Sequence, residues 1–115
     1  KNILDRIQVQ KYLLEKTKRM GFYEPFADII DYNFFEKVFV ECFIAYENSG
    51  TISIDKIQEL KDIILEAIPE ILDNPYYIQK RETACIVNAS QIGKLLEKEI
   101  TQTNIDKVLY ECTNG

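Results

Sequence analysis

At 115 residues, 46% of them hydrophobic, the chain can bury one real core but is too short for two ordinary domains. Its net charge of -5 argues against the basic face that nucleic-acid binding needs, and no run approaches the roughly 18 apolar residues of a membrane span. With no His and no Cys-x-x-Cys, the odd set Cys42, Cys85 and Cys112 reads as small core residues in a reducing, intracellular compartment, cytoplasmic or nuclear, and neither a metal nor a cofactor is expected.

Ile3, Leu4, Ile7, Leu14 and Met20 recur at helical spacing and predict a first helix from Ile3 to Met20, with Gly21 as its C-terminal cap. Lys16, Lys18 and Arg19 complement the dipole at that end. Phe22-Tyr23-Glu24-Pro25 reads as a turn, Pro25 suiting the first position of the next helix. From Phe26 to Tyr46 apolar residues cover most of the helical circumference, so this helix must be buried on several sides, by the domain itself or by a partner. Val38-Phe39-Val40 is locally β-prone, but the run is too long for a strand.

The clear break comes at Glu47-Asn48-Ser49-Gly50-Thr51-Ile52-Ser53: Gly50 tolerates positive φ, residues 51–53 suit a very short extended stretch, and Ser53 can cap the helix that begins at Ile54. Ile54, Ile57, Leu60, Ile64, Ala67 and Ile68 then form an amphipathic stripe that ends at Pro69. Asn74-Pro75 is a second stop and restart, opening a helix with Tyr76, Tyr77, Ile78, Ala84 and Cys85. Ile86 and Val87 read as another short extended pair. Asn88-Ala89-Ser90 spells a glycosylation acceptor, yet Asn88 with Gln91 three residues on is the arrangement of a capping box, and it predicts a helix from Ala89 through Ile92, Leu95, Leu96 and Ile100. After a turn at Thr101, Ile105, Val108, Leu109 and Cys112 mark the last helix. The expected fold is therefore all-α: a compact single domain over residues 1–115, about six helices built from helix-loop-helix units, with at most very short extended pairs near 51–53 and 86–87. Starting at Lys1 without Met, the chain reads as a segment of a longer protein.

Ile52-Ser53-Ile54-Asp55-Lys56-Ile57 and Val87-Asn88-Ala89-Ser90-Gln91-Ile92 form a faint repeat about 35 residues apart. Through Phe43, Tyr46, Gly50, Thr51, Ile52, Ser53 and Ile57 in the first unit and Val87, Asn88 and Ile92 in the second, residues 34–115 resemble the calmodulin-type EF-hand family. Ile100 to Ile105 and Val108 to Glu111 look like the helix entering a third loop, with Thr113-Asn114-Gly115 at its start. The calcium ligands are not retained. With Gly50 at the sixth place, Ala45 stands first, Glu47 third, Ser49 fifth, and Lys56 occupies the twelfth, where the family needs a bidentate Glu; in the second unit Cys85 replaces Gly and Gln91 replaces Glu. The resemblance thus implies loops kept for shape, no calcium, and a constitutive clamp on a partner helix. Ala89 to Leu96 and Ile105 to Tyr110 also look like two helices of a winged-helix domain, covering 85–112. Nucleic-acid binding through this region is the alternative reading, against which Asp106 stands where the left-handed-duplex readers of that family carry Asn and would repel phosphate.

No catalytic pair emerges. Glu97 and Glu99 are two apart and share no helix face, Pro69 interrupts Glu66 and Glu70, and the glycines at 21, 50, 93 and 115 are isolated. The sequence reads as a non-catalytic protein-protein interaction or scaffold module that binds a partner amphipathic helix or a like subunit. Its expected anchors are the large aromatics outside the regular stripes, Phe22, Tyr23, Phe26, Tyr76 and Tyr77.

Overall fold

Asn2 opens the fold by accepting a hydrogen bond from the Leu4 amide on Oδ1 (2.7 Å), which starts helix α1, Ile3–Arg19. The computed structural model describes residues 2–83 and 87–114. Gly21, at φ 78°, ends α1 in the left-handed conformation that only glycine adopts without strain. The Phe22 amide then bonds Thr17 O and the Gly21 amide bonds Lys18 O, satisfying two of the last carbonyls. A single 3-10 turn, Glu24–Phe26, carries Pro25 and leads into the longest helix.

That helix, α2, runs without a break over residues 27–49: α-helical at Ala27–Phe35, π-helical at Glu36–Val40 and α-helical again at Glu41–Ser49. The Glu41 amide reaches back to Glu36 O across five residues, so one extra residue enters the turn at the β-prone Val38-Phe39-Val40. All three of these side chains are buried, as are Phe35, Cys42 and Phe43 on either side. A regular α-helix would have turned one of the three toward solvent; widening the turn re-phases the helix and keeps the apolar run inside.

Gly50 (φ 71°) closes α2 by the same glycine device, with the Thr51 amide bonded to Tyr46 O. Ser53, in extended conformation, caps α3 (Ile54–Ala67) through the Lys56 amide. Ile57, Leu60 and Ile64 are the buried stripe of α3, as their spacing predicts. After Pro69 a 3-10 turn, Ile71–Asp73, leads to Asn74 and α4, Pro75–Thr83.

Ala84, Cys85 and Ile86, expected in the α4 helix and in a short extended pair, lie outside the described residues. Val87 corrects the rest of that expectation: it is the first residue of α5 (Val87–Gly93), so the helix begins two residues before Ala89. The local β preference of a valine gives way because Ala89, Ser90 and Ile92 of this turn are buried in the domain. A 3-10 turn, Lys94–Glu97, continues α5, and Ile100 is buried beyond it rather than within a helix. Thr101 caps α6 (Gln102–Asn114) through the Asn104 amide. The described residues thus form six helices and no strand, and none of these helices is long and apolar enough to cross a membrane.

α2 is the axis of the core. Phe35, Phe39 and Phe43 are fully buried along it, and Ile57, Leu60 and Ile64 of α3, Ile92 of α5 and Ile105 and Val108 of α6 complete the interior. The Phe35 ring stacks on Phe39 (centroids 5.9 Å apart) and meets Tyr77 edge-on at 5.4 Å. Gly93 lets α5 approach this cluster: a Cβ there would stand 3.2 Å from Phe35 Cζ and 3.4 Å from Tyr77 Cε1. Burial of each phenylalanine contributes on the order of 2 kcal/mol. By contrast α1 buries only Ile7 and Leu14 and adds the Arg6–Glu41 ion pair at 2.9 Å.

Asn74 ties α4 to α2. Its Oδ1 accepts from the Tyr76 and Tyr77 amides, while Nδ2 donates to Asp28 O at 2.9 Å, and the side chain is buried. Asn74→Ala is expected to cost about 2 kcal/mol in chemical denaturation, whereas Asn74→Asp, which keeps the cap and loses the donor, should recover roughly half of that. Gly93→Ala should lower stability by about 1–3 kcal/mol despite alanine's better helix propensity, because two rigid buried rings must give way; thermal unfolding measures the shift.

Candidate functional site

The five expected anchor residues fall into two groups. Phe22, Tyr23 and Phe26 lie at the corner where α1 hands over to α2, and Tyr76 and Tyr77 open α4. Phe22 and Phe26 are 61% and 62% exposed, large apolar rings held in water by a rigid corner: the Phe22 amide closes the glycine cap and the Phe26 amide bonds Tyr23 O.

Tyr23 is half-buried. Its hydroxyl donates to both Asp31 carboxylate oxygens (2.7 and 2.8 Å), and Lys18 Nζ lies 4.9 Å above its ring. Burial, reinforced by the Asp31 carboxylate, pushes the Tyr23 phenol well above the usual tyrosine range. Burial also pushes the Asp31 carboxyl up, against the Tyr23 hydroxyl and Lys18, which hold it down. The pair locks the corner in place, and that lock is what presents Phe22 and Phe26.

Tyr76 packs on Tyr32 with ring centroids 6.3 Å apart and keeps 40% of its surface exposed. Tyr77 is a correction: only 3% exposed, it belongs to the core and offers no surface to a partner. Its hydroxyl donates to Glu97 Oε2 (2.8 Å), with Gly93 O also in reach at 3.0 Å. A tyrosine three residues after a capping Asn turns inward here because α5 passes over it. Tyr76 and Tyr77 meet Tyr32 and Phe35, which stand on a different flank of α2 from Phe26, so the two groups do not form one patch.

The residues that extend the Phe22–Phe26 corner lie on α1 and at its C-terminal cap. Val9, Leu13 and Met20 are each about half exposed and follow one helical line, i, i+4, i+11. α1 thus carries two apolar stripes, one buried through Ile7 and Leu14 and one exposed. Leu13 and Thr17 border a shallow groove with Ile30 and Asn33 of α2, about 130 Å³ in volume, and Val9 borders another with Lys37. Since higher residue numbers on α1 meet lower ones on α2, the two helices run antiparallel and share one outer face. On the far side of α1 a larger cleft, about 380 Å³, is lined by Lys11, Lys18, Glu15 and Glu66 around Leu14 and Phe34, a mixed-charge surface without a convergent set of donors.

Around the Gly50 loop, Ala45, Glu47 and Ser49 lie on the last turns of α2, and Lys56 Nζ stands 5.1 Å from the centre of the Tyr46 ring. No group of three His, Cys, Asp or Glu among the described residues is placed to hold a metal ion. Cys42 and Cys112 are free thiols, and burial pushes both up, which keeps them protonated. In the winged-helix alternative α6 would face the duplex, and its charged residues are Asp106, Lys107 and Glu111.

Burial raises the Tyr32 phenol as it does that of Tyr23, so both hold their protons more tightly folded than unfolded. The stability they contribute is complete below about pH 10 and is lost as pH rises through the folded values. In an alkaline titration their tyrosinate absorbance is expected to appear only together with loss of the helical circular-dichroism signal, and Tyr23→Phe and Tyr32→Phe should each remove part of that late phase. Comparison of the chain with protein-family models, with curated proteins and with solved structures returned no match.

Proposed function

We propose that this domain is a non-catalytic protein-protein interaction module whose working surface is the outer face of α1 and α2. One observation carries the reading: Val9, Leu13, Met20, Phe22, Phe26 and Ile29 all expose large apolar side chains on a helix pair that the core holds rigid. Isolated exposed apolar residues are ordinary on a protein surface; a continuous set along two adjacent helices marks a place where another protein sits. Of the expected anchors, Phe22 and Phe26 take direct contact, Tyr23 positions them through Asp31, and Tyr76 borders a separate flank. On this reading the helix-loop-helix around Gly50, with its likeness to an EF-hand, serves as a shaped hinge rather than an ion site. The free thiols of Cys42 and Cys112 fit a reducing compartment.

A photo-crosslinking residue placed at Phe26 in cells that make the protein is expected to yield discrete protein adducts that disappear in the Leu13→Asp background. The same residue at Tyr110, exposed on α6, should not give them. Identical adducts from both positions, or none from Phe26, would remove the basis for the proposal.

A further inference from the structure

We infer that the partner on this face is a helix of another protein that carries carboxylates along the edges of its apolar stripe. The inference rests on the reading of the face as an interaction surface and names the chemistry of its occupant. Two shallow grooves lie end to end between α1 and α2. One, of about 150 Å³, is bordered by Arg6, Val9, Gln10, Lys37 and Glu41; the other is the groove of Leu13, Thr17, Ile30 and Asn33. Gln10 borders both, so they join into one furrow from Arg6 to Thr17, about 16 Å long at the rise of an α-helix and roomy enough for roughly three turns of a partner helix. Val9 and Leu13 flank it as exposed apolar side chains, and Phe26, one turn before Ile30, stands at its corner end.

The charges beside the furrow state what that helix brings. Arg6 and Lys37 both reach Glu41, at 2.9 and 3.5 Å, and their side chains stay 38% and 53% exposed, so one carboxylate is shared by two cations that remain open to a further anion. Lys16 is exposed on the apolar stripe of α1 itself, three residues after Leu13 and four before Met20. The carboxylates of the two helices mostly stand elsewhere. Glu15 lines the far-side cleft and Glu24 the pocket of Lys18 and Tyr23, while Asp31 and Glu36 take the Tyr23 and Tyr32 hydroxyls. Asp28, one turn before Tyr32, lies on that flank, and Glu47 lies beside Cys112. Besides Glu41, Asp5 stands on the rim, a turn before Val9. Along the furrow the cations Arg6, Lys16 and Lys37 thus outnumber the carboxylates Glu41 and Asp5, in a chain whose net charge is -5. A positive excess on an apolar lane attracts an acidic helix and repels a basic one. The concave floor, with Gln10, Thr17 and Asn33 on it, suits a helix laid lengthwise better than a lipid surface, which these polar side chains would not enter.

A photo-crosslinking residue in place of Asn33, exposed on the furrow, tests the assignment in cells that make the protein, with the adducts mapped by mass spectrometry. The captured segment is expected to belong to another protein, to place apolar residues at helical spacing, and to hold more Asp and Glu than Lys and Arg. Lys16→Glu with Lys37→Glu should lower the adduct yield by about tenfold or more, and Lys16→Arg with Lys37→Arg, which keeps the charge, should preserve it. Lys11→Glu with Lys107→Glu, the same change of net charge on exposed residues away from the furrow, should leave the yield within roughly twofold. The helical circular dichroism should be retained in all three. A captured segment without the acidic excess, capture of a second copy or of lipid, or equal loss in the two glutamate variants overturns the inference. If Phe26 still crosslinks to a protein in any of these cases, or does so while Asn33 yields nothing, the acidic helix is excluded and the interaction face stands. No adduct from either position removes both.

Discussion

The constraint on which the rest of the structure depends is the apolar circumference of residues 34–46. A helix carrying Phe34, Phe35, Val38, Phe39, Val40, Cys42, Phe43 and Tyr46 exposes a costly surface on every side until other elements enclose it. Enclosure explains the arrangement of the remaining helices: α3 covers it through Ile57, Leu60 and Ile64, while α4 and α5 bring Tyr77, Gly93 and Ile92 against Phe35, and α6 adds Ile105 and Val108 to the same core. It also explains the π turn at Glu36–Val40. One extra residue re-phases the helix at the point where three consecutive apolar side chains would otherwise outrun its buried face.

Each loop that lets the chain turn back onto α2 is built from a small number of local devices. Gly21 and Gly50 end α1 and α2 in left-handed conformation, and Ser53, Asn74 and Thr101 begin the helices after them. Asn74 does more than cap, since its amide also reaches the Asp28 carbonyl and joins the start of α4 to the start of α2. Such devices are cheap in sequence and specific in geometry. They let most of the chain's large apolar residues be assigned to the core.

α1 stands apart from this economy. It buries two apolar side chains and leaves Leu4, Val9, Tyr12 and Leu13 in water, with Met20 exposed at its cap, the reverse of what a helix serving only the core would do. It also gathers a net positive charge in a chain that is acidic as a whole. The Tyr23–Asp31 lock and the glycine cap before it hold α1 against α2 at one end, and Arg6–Glu41 holds it toward the other, so the exposed apolar lane is a fixed surface.

Helix existence, order and most of the core were legible from the residues alone, because periodic burial leaves a 3.6-residue trace and glycine, serine and asparagine mark the ends by chemistry that acts over a few residues. The stripe of α3 and the caps at Gly21, Gly50, Ser53 and Asn74 are of this kind. Three matters needed the tertiary structure. The helical start at Val87 overrides a local β preference through packing that no window of sequence contains. Tyr76 and Tyr77, neighbours of the same chemical type, part company because one faces Tyr32 near the surface and the other is covered by α5. The candidate site itself is a juxtaposition of two helices. Val9 and Leu13 gain meaning only when α2 is laid beside them, and a pattern read along one helix records which residues are apolar but not which of two apolar faces the core takes and which it leaves open.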